Sequence, residues 1–292
     1  MQTIFIIVAI VIVMIVVLTA VNYRDIHRFV TRTYEVESDK AESDYTFALL
    51  SDLHGYKFGE GNEKLIKAIE EIDPDVVLCA GDMFDAGPSQ DKLKTENGIS
   101  LLEGLSRNYP VYIANGNHEQ KIKDYTGAYG NFFDRYKARL ESSGIVYLEN
   151  ESSLYDDGKV IITGLELSLL YFQKLRKKEM EKDYIEKKLG RIKASDADKL
   201  HILIAHNPIY FEEYANWGAD LVVSGHVHGG IVRVPFLGGV ISPAISLFPK
   251  YDGGLYKKGK STMILSRGLG THTIHVRLFN PCELVVIKVR KR

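Results

Sequence analysis

Residues 221–230 read Leu-Val-Val-Ser-Gly-His-Val-His-Gly-Gly, an apolar run that ends in two histidines between glycines. A short apolar run that meets glycines predicts a buried strand followed by a tight loop. The imidazoles of His226 and His228 can point from such a loop into one small volume, and neutral imidazole is the commonest metal ligand. Two histidines that only cap a strand would show the same pattern, so the other strand ends of the chain decide between these interpretations.

Polar side chains follow the other predicted strands at the same position. Strands are predicted over 46–50, 75–80, 111–114 and 200–205, and helices over 63–72, 99–107 and 131–143. This alternation is typical of a layered α/β fold, in which strand carboxyl ends meet at one edge and bind ligands. The polar residues at these ends are Asp52, His54, Asp82, Asp85, Asn117, His118 and His206.

The donors at the strand ends are imidazoles, carboxylates and one carboxamide, without a thiolate. Such a set suits Mn, Fe or Zn and is poor for a soft metal. Seven of these donors are too many for one tetrahedral ion, but they suffice for two ions that share a carboxylate; the seven are Asp52, His54, Asp82, Asn117, His206, His226 and His228. Two neighbouring ions can bind a phosphoryl group and generate hydroxide from water. The two cysteines, Cys79 and Cys282, predict neither a disulfide framework nor a thiolate zinc site.

Five motifs, in this order, resemble the calcineurin-like metallophosphoesterase superfamily. They are Asp-x-His at 52–54, Gly-Asp-x-x-Asp at 81–85, Gly-Asn-His-Glu at 116–119, the single His206, and Gly-His-x-His at 225–228. The resemblance covers roughly residues 45–290 and implies an α/β fold, a layered β-sandwich flanked by helices. It also implies a metal-dependent phosphoesterase that cleaves phosphoester or pyrophosphate bonds.

The resemblance implies a role for each of nine residues. One divalent ion would be bound by Asp52, His54 and His228, the second by Asn117, His206 and His226, and both by the bridging Asp82. A hydroxide held between the two ions, Mn in the first instance with Fe or Zn as alternatives, would attack phosphorus in line. His118 would contact the phosphoryl oxygens or protonate the leaving oxygen, and Asp85 would orient that imidazole.

Three stretches also resemble a bacterial branch of membrane-associated or exported phosphohydrolases. These are GHVHGG at 225–230, YDGGLY at 251–256 and SRGLG at 266–270. The branch includes enzymes that hydrolyse UDP-2,3-diacylglucosamine, so it implies a lipid-linked or nucleotide-sugar phosphate as substrate. Ile231 departs from the branch pattern, which often has glutamine at that position.

The first residues of the chain predict a membrane anchor. Residues 4–21 are uncharged and almost entirely apolar, which is long enough to span a bilayer as a helix. A buried core helix would show a polar face, and a secretory signal peptide would show Lys or Arg before a shorter apolar run. We expect a single-pass anchor over 1–23, a juxtamembrane linker or first strand over 24–44, and the phosphoesterase domain over 45–292.

The charges that flank the apolar run predict its orientation. Arg24, Arg28 and Arg32 follow the run, whereas no basic residue precedes it. Because positive charge is retained on the cytoplasmic side of membranes, we expect the catalytic domain in the cytoplasm.

A charged segment over 167–193 is predicted to be a helical cap on the domain. Between residues 174 and 193 it holds nine Lys or Arg against four Asp or Glu. A solvated helix at one edge of the domain would show this composition, and so would a basic amphipathic cap lying on an anionic membrane surface.

Two alternative functions follow from other features of the sequence. A nuclease of the same superfamily would need a basic groove along which phosphates bind. The chain has 37 basic and 38 acidic residues, so nucleic acid is not expected as a partner. A non-enzymatic scaffold would have no need to keep all seven metal ligands.

Overall fold

The computed structural model describes residues 1–173, 177–234, 237–241, 247–271 and 275–292. The α-helices in these ranges are α1 (Gln2–His27), α2 (Glu63–Ile72), α3 (Glu96–Leu105), α4 (Asn117–Asp124), α5 (Thr126–Tyr129), α6 (Phe132–Ser142), α7 (Tyr184–Leu189) and α8 (Phe211–Trp217). All but α1 belong to one domain that also contains the strands.

Two six-stranded sheets form the centre of this domain. The first has the order β1 (Phe29–Ser38), β14 (Cys282–Lys291), β2 (Tyr45–Leu50), β3 (Val76–Cys79), β4 (Val111–Ala114) and β5 (Val146–Leu148). The second has the order β12 (Gly254–Lys258), β13 (Ser261–Leu265), β9 (Leu221–Ser224), β8 (Leu200–Ala205), β7 (Val160–Leu165) and β6 (Glu151–Tyr155). A small ribbon pairs β10 (Val232–Val234) with β11 (Gly238–Ile241).

The sheets pack face to face, and helices cover their outer faces. Val76 and Leu78 of the first sheet share one buried core with Ile202 and Val223 of the second. Helices α2, α3 and α6 pack on the other face of the first sheet, and α7 and α8 pack on that of the second. Strands such as β3 and β8 are therefore buried on both faces, which explains their uninterrupted apolar sequences. The predicted layered β-sandwich flanked by helices is confirmed.

Strand direction brings the loops after five strands to one edge of the sandwich. Strands β2, β3 and β4 are parallel in the first sheet, and β8 and β9 are parallel in the second. Strand β14 is antiparallel to β2, and β1 is parallel to β14. The beginnings of β1 and β14 therefore lie at the edge where β2, β3 and β4 end.

The N-terminal helix is longer than the apolar run that predicted it. Helix α1 covers Gln2–His27 and is, among the described residues, the one helix long and apolar enough to cross a membrane. Residues 29–38, within the predicted linker at 24–44, form β1 and pair with β14. These residues therefore form a first strand of the domain rather than a linker. Their sequence is largely polar because only one face of this edge strand is covered, with Val36 buried.

The charged segment is less helical than its composition predicts. Among the described residues of 167–193, the α-helix is limited to Tyr184–Leu189, and a short 3-10 turn covers Leu169–Phe172. Residues 174–176 lie outside the described part of the chain. The apolar side chains here do not share one helix face, since Tyr171 packs edge-on against both Tyr184 and Tyr210.

Candidate metal centre

The structure brings all seven predicted metal ligands to the common edge of the two sheets. Six of them lie in the loops directly after β2, β3, β8 and β9, and Asn117, which follows β4, is the first residue of α4. Within the described residues, three groups of carboxylate and imidazole side chains have their ligand atoms within 4.8 Å of one another. The groups are Asp52, His54 and His228; Asp82, His206 and His226; and His54, Asp85 and His118.

The first group forms a compact site between the β2 and β9 loops. The Nε2 atoms of His54 and His228 are 3.1 Å apart, and His228 Nε2 is 3.5 Å from Asp52 Oδ1. The backbone N–H of His226 donates to Asp52 at 2.9 Å, and the Ser51 hydroxyl donates to the same carboxylate. The convergence of two imidazole nitrogens and a carboxylate oxygen on one point is the geometry that a divalent ion requires.

The second group is oriented by a backbone contact. His206 Nδ1–H donates to the carbonyl of Ala80 at 2.5 Å, which directs Nε2 to within 3.0 Å of Asp82 Oδ2. A hydrogen bond at one ring nitrogen commonly fixes a metal-binding histidine so that the other nitrogen faces the ion. Phe172 packs edge-on against His226, with ring centroids 5.1 Å apart, and covers this side of the site.

Asp82 lies between the two groups. Its Oδ2 is 3.0 Å from His206 Nε2 and 4.0 Å from His54 Nε2, so a single carboxylate reaches both groups. Its Oδ1 accepts the backbone N–H of His118 at 2.8 Å. The Asp82 carboxylate thus lies where it could contact an ion in either group.

Asn117 shows most directly that the site suits a cation. Its Oδ1 is buried and has no hydrogen-bond donor within the described residues. A buried acceptor without a partner costs about 1–3 kcal/mol, and an amide oxygen is an ordinary ligand for a divalent ion. The residues present therefore fit a pair of metal ions.

The backbone at the ligands is strained. Asp52, His54, Asp82, His226 and His228 have φ between 50° and 76°, in the left-handed region that L residues seldom adopt. They are five of the twelve non-glycine residues with positive φ in the described part of the chain. Such strain persists where the surrounding structure holds it in place, and it concentrates at functional sites.

Glu119 holds the two ligand loops of the first sheet together. This fully buried carboxylate accepts the backbone N–H groups of Asp82, Met83 and Gly116 at 2.8, 2.9 and 3.0 Å. Burial and the nearby charge of Asp82 raise its pKa to about 7. Both of its carboxylate oxygens are thus engaged with backbone N–H groups of the ligand loops.

Charges within the metal-free cluster alternate. Burial alone would raise the pKa of Asp82, but the His206, His118 and His54 imidazoles hold that pKa well below its usual value. Burial opposes protonation of His206, but Asp82 and Asp52 raise its pKa to about 9. Burial and the His206 charge lower the pKa of His226 to about 3. A protonated His206 thus stabilises the Asp82 carboxylate in the absence of metal.

His118 and Asp85 lie at the side of the first group. The backbone N–H of Ala86 donates to His118 Nδ1 at 2.7 Å, so the proton of a neutral imidazole is on Nε2. Asp85 Oδ1 accepts from His54 Nδ1 at 2.6 Å and is 3.8 Å from His118 Nδ1. In this structure the carboxylate predicted to orient His118 is hydrogen-bonded to a metal-ligand candidate, His54.

Two supporting residues have no motif in the sequence. Arg277 is buried and donates to the carbonyls of Arg267 and Gly270 behind the site. Asn280 Nδ2 donates to the carbonyl of His228 at 2.7 Å, which fixes the loop of that ligand. Both act on backbone carbonyls, so residue type and spacing carry no signal for them. The one hint that the sequence offers is that both polar residues lie among apolar residues in 276–282.

Comparison with known proteins agrees with this geometry. Residues 45–230 match the calcineurin-like phosphoesterase family, so the chain belongs to that family. A metal-dependent phosphoesterase activity follows from this membership and from the ligand groups.

Several proteins of this kind resemble the chain. Uncharacterized metallophosphoesterase YkuE of Bacillus subtilis is 28% identical over 82% of this chain and 77% of its own length. Phosphodiesterase YaeI of Escherichia coli is 26% identical over 78% of this chain and 76% of its own length. A metallophosphoesterase of Campylobacter jejuni is 28% identical over 89% of this chain, which spans 63% of that relative. A dimetal phosphatase structure from Danio rerio has a TM-score of 0.41 at 12% identity, over 77% of this chain and 88% of that one.

Replacement of Asp82 by asparagine tests the shared ligand. We expect Asp82→Asn to weaken metal binding by more than about 100-fold, because even the loss of a residue behind a ligand typically costs 10- to 100-fold. Metal content after dialysis, measured by plasma mass spectrometry, gives the result. Asp157→Asn is the matched control, since Asp157 is exposed and has φ of 52° against 55° for Asp82. Full metal content in Asp82→Asn would contradict the bridging assignment.

Proton release tests the charge distribution. His206 is protonated below about pH 9 without metal, whereas a metal ligand must be neutral. Mn binding at neutral pH should therefore release about one proton from this group, and affinity should rise until the pH passes the His206 pKa. Calorimetry in buffers of different ionisation enthalpy measures the release. An affinity that is flat across this range would rule out the His206 proton as the competitor.

Proposed function

We propose that this protein is a membrane-anchored phosphohydrolase with two divalent metal ions, Mn first, with Fe or Zn as alternatives. When bound, the ions would supply Lewis-acid stabilisation of the phosphoryl oxygens and a hydroxide for in-line attack on phosphorus. The observation that carries the proposal is the convergence of six carboxylate and imidazole donors, together with the buried Asn117 Oδ1, which has no hydrogen-bond donor among the described residues. A scaffold without catalytic function would gain nothing from this strained and charged arrangement.

The residues of the chain have separate tasks in this proposal. Asp82 holds the two halves of the site in register, and Glu119 fixes the backbone around it. His118 presents Nε2–H to the substrate, because Ala86 N–H occupies Nδ1. From that position it binds a phosphoryl oxygen or gives its proton to the leaving oxygen.

Helix α1 supports the proposal that the protein is anchored in a membrane. The most apolar 18-residue window of this 26-residue helix has a mean hydropathy of 3.5, and none of that window is buried against the domain. A helix of this length spans about 39 Å, which exceeds the roughly 30 Å hydrocarbon core of a bilayer. A relative from Danio rerio, 26% identical over 83% of this chain and 52% of its own length, is named a transmembrane protein with metallophosphoesterase domain. We propose a single-pass anchor with a cytoplasmic catalytic domain, oriented by Arg24, Arg28 and Arg32.

The membrane address favours a substrate that is lipid-linked or made at the membrane. The resemblance of the sequence to the branch that hydrolyses UDP-2,3-diacylglucosamine supports a lipid-linked or nucleotide-sugar phosphate. A nuclease is the weaker candidate, because the near-neutral chain lacks the surplus of positive charge that binding to a nucleic-acid backbone requires.

Metal-dependent turnover tests the proposal. The full chain in lipid nanodiscs is stripped with chelator and restored with Mn. Hydrolysis of a phosphodiester, a phosphomonoester and a UDP-linked pyrophosphate is then followed in parallel. We expect metal-dependent hydrolysis of at least one of them. No hydrolysis of any, with two metal ions bound per chain, would contradict the proposed function for soluble substrates and favour the scaffold.

His118→Ala tests the proton donor. We expect this variant to keep both metal ions and to lose about 10²- to 10⁴-fold in kcat, with the largest loss for poor leaving groups that need a proton. His275→Ala, which removes an exposed imidazole outside the three ligand groups, is the control. Loss of metal in His118→Ala would show that His118 is a ligand rather than an acid.

A further inference from the structure

The chain enters the catalytic domain at the edge that holds the metal centre. Strand β1 begins at Phe29, two residues after α1 ends, and pairs there with Cys282 at the beginning of β14. Because β14 is antiparallel to β2, this point lies beside the end of β2. The metal ligands of the β2 loop follow that strand end directly. The C-terminal end of α1 is therefore on the same side of the domain as the metal centre.

Buried hydrogen bonds fix α1 to the metal-site loops. Asp25, fully buried, accepts the backbone N–H of Asn280 at 2.9 Å, and Asn22 Oδ1 accepts the backbone N–H of Arg277 at 2.8 Å. The Asn280 side chain in turn donates to the carbonyl of His228. One residue thus separates the helix from a metal-ligand candidate, so the orientation of the helix constrains that of the site.

Large apolar side chains are exposed around the same edge. Eight such residues follow α1 in the described part of the chain, and five of them lie within 234–248 or directly before Asn280. The five, called the apolar rim here, are Val234, Leu237, Leu247, Phe248 and Phe279.

Backbone hydrogen bonds connect the rim to the loop that holds α1. The N–H of Arg233 donates to the carbonyl of Leu278 at 3.0 Å, and the N–H of Phe248 donates to that of Val240 at 2.9 Å. Phe248 and Phe279 have positive φ, at 47° and 57°, an uncommon conformation for a bulky residue, while their rings remain exposed. Exposed apolar groups that cluster in this way mark an interaction surface.

We propose that the apolar rim lies in the interfacial region of the bilayer, so that the metal centre opens toward the membrane surface. This inference rests on the proposed anchor. The occupant is lipid, because α1 exits the membrane at Asn22 and Asp25, which contact the loop carrying Phe279. Tyr23, exposed in the same turn, is typical of an aromatic residue at the headgroup level.

This arrangement selects the substrate class. A site that opens at headgroup level meets phosphate groups whose lipid tails remain in the bilayer. Water-soluble nucleotides would have to pass between the apolar rim and the membrane in order to reach the site. Amphiphilic phosphate esters are therefore the preferred substrates within the proposed function.

Site-specific fluorescence tests the rim. Leu237→Cys and Leu247→Cys are labelled with an environment-sensitive dye in the full chain, reconstituted in vesicles of phosphatidylethanolamine and phosphatidylglycerol. Both native cysteines are buried, so the label goes to the new residue. Leu154→Cys is the matched control: Leu154 is 62% exposed, against 66% and 65% for the rim leucines. It pairs with Ile161 toward the far end of β7, away from the metal edge.

Quenchers of two kinds separate the outcomes. We expect nitroxide-labelled lipid to lower the fluorescence at 237 and 247 and iodide in the buffer to have little effect there, with the reverse at 154. Equal iodide quenching at all three positions would overturn the proposal. Metal-dependent hydrolysis is measured on the same samples and does not depend on the quenching result. Failure of the apolar rim to enter the bilayer is therefore distinguishable from failure of the proposed function.

Discussion

Asp82 must keep a negative charge inside the protein, and the arrangement of the site follows from this requirement. A buried carboxylate costs several kcal/mol unless cations and hydrogen bonds surround it. Three groups surround the Asp82 carboxylate in this way: the protonated imidazole of His206, the backbone N–H of His118 and, at 4.0 Å, the imidazole of His54. Divalent ions would supply more positive charge at the same place, which explains why loops from both sheets converge on this one side chain.

The two sheets hold the site in a conformation that the ligand loops would not adopt alone. Positive φ at a non-glycine residue costs about 1–3 kcal/mol, and five ligand candidates share this conformation. Strands β3, β4, β8 and β9, each buried along its whole length, fix the point from which each loop begins. Glu119 then fixes the loop backbones from below. The protein scaffold thus holds the candidate ligands in position.

The sequence predicts well which side chains come together at the candidate site, because each motif is local and stands directly after an apolar strand. The rule that strand ends share one edge is then enough to bring Asp52, Asp82 and His206 together. It does not predict that β1 pairs with β14, since no local pattern reports a partner some 250 residues away. The role of Asn280 is not predicted either, because its side chain binds a backbone carbonyl. The apolar rim is not predicted because its residues come from three short segments of the sequence. Composition also overstates the helix content of 167–193, where apolar residues from separate short elements pack into one cluster.

The central claim is that two metal ions share Asp82, and electron paramagnetic resonance of the Mn-loaded full chain tests it most directly. Two Mn ions bridged by one carboxylate are magnetically coupled. At two equivalents of Mn the account predicts the multiline spectrum of a coupled pair, which should be lost when the second ion is removed. A spectrum of isolated Mn that only grows in intensity with each equivalent would contradict the account.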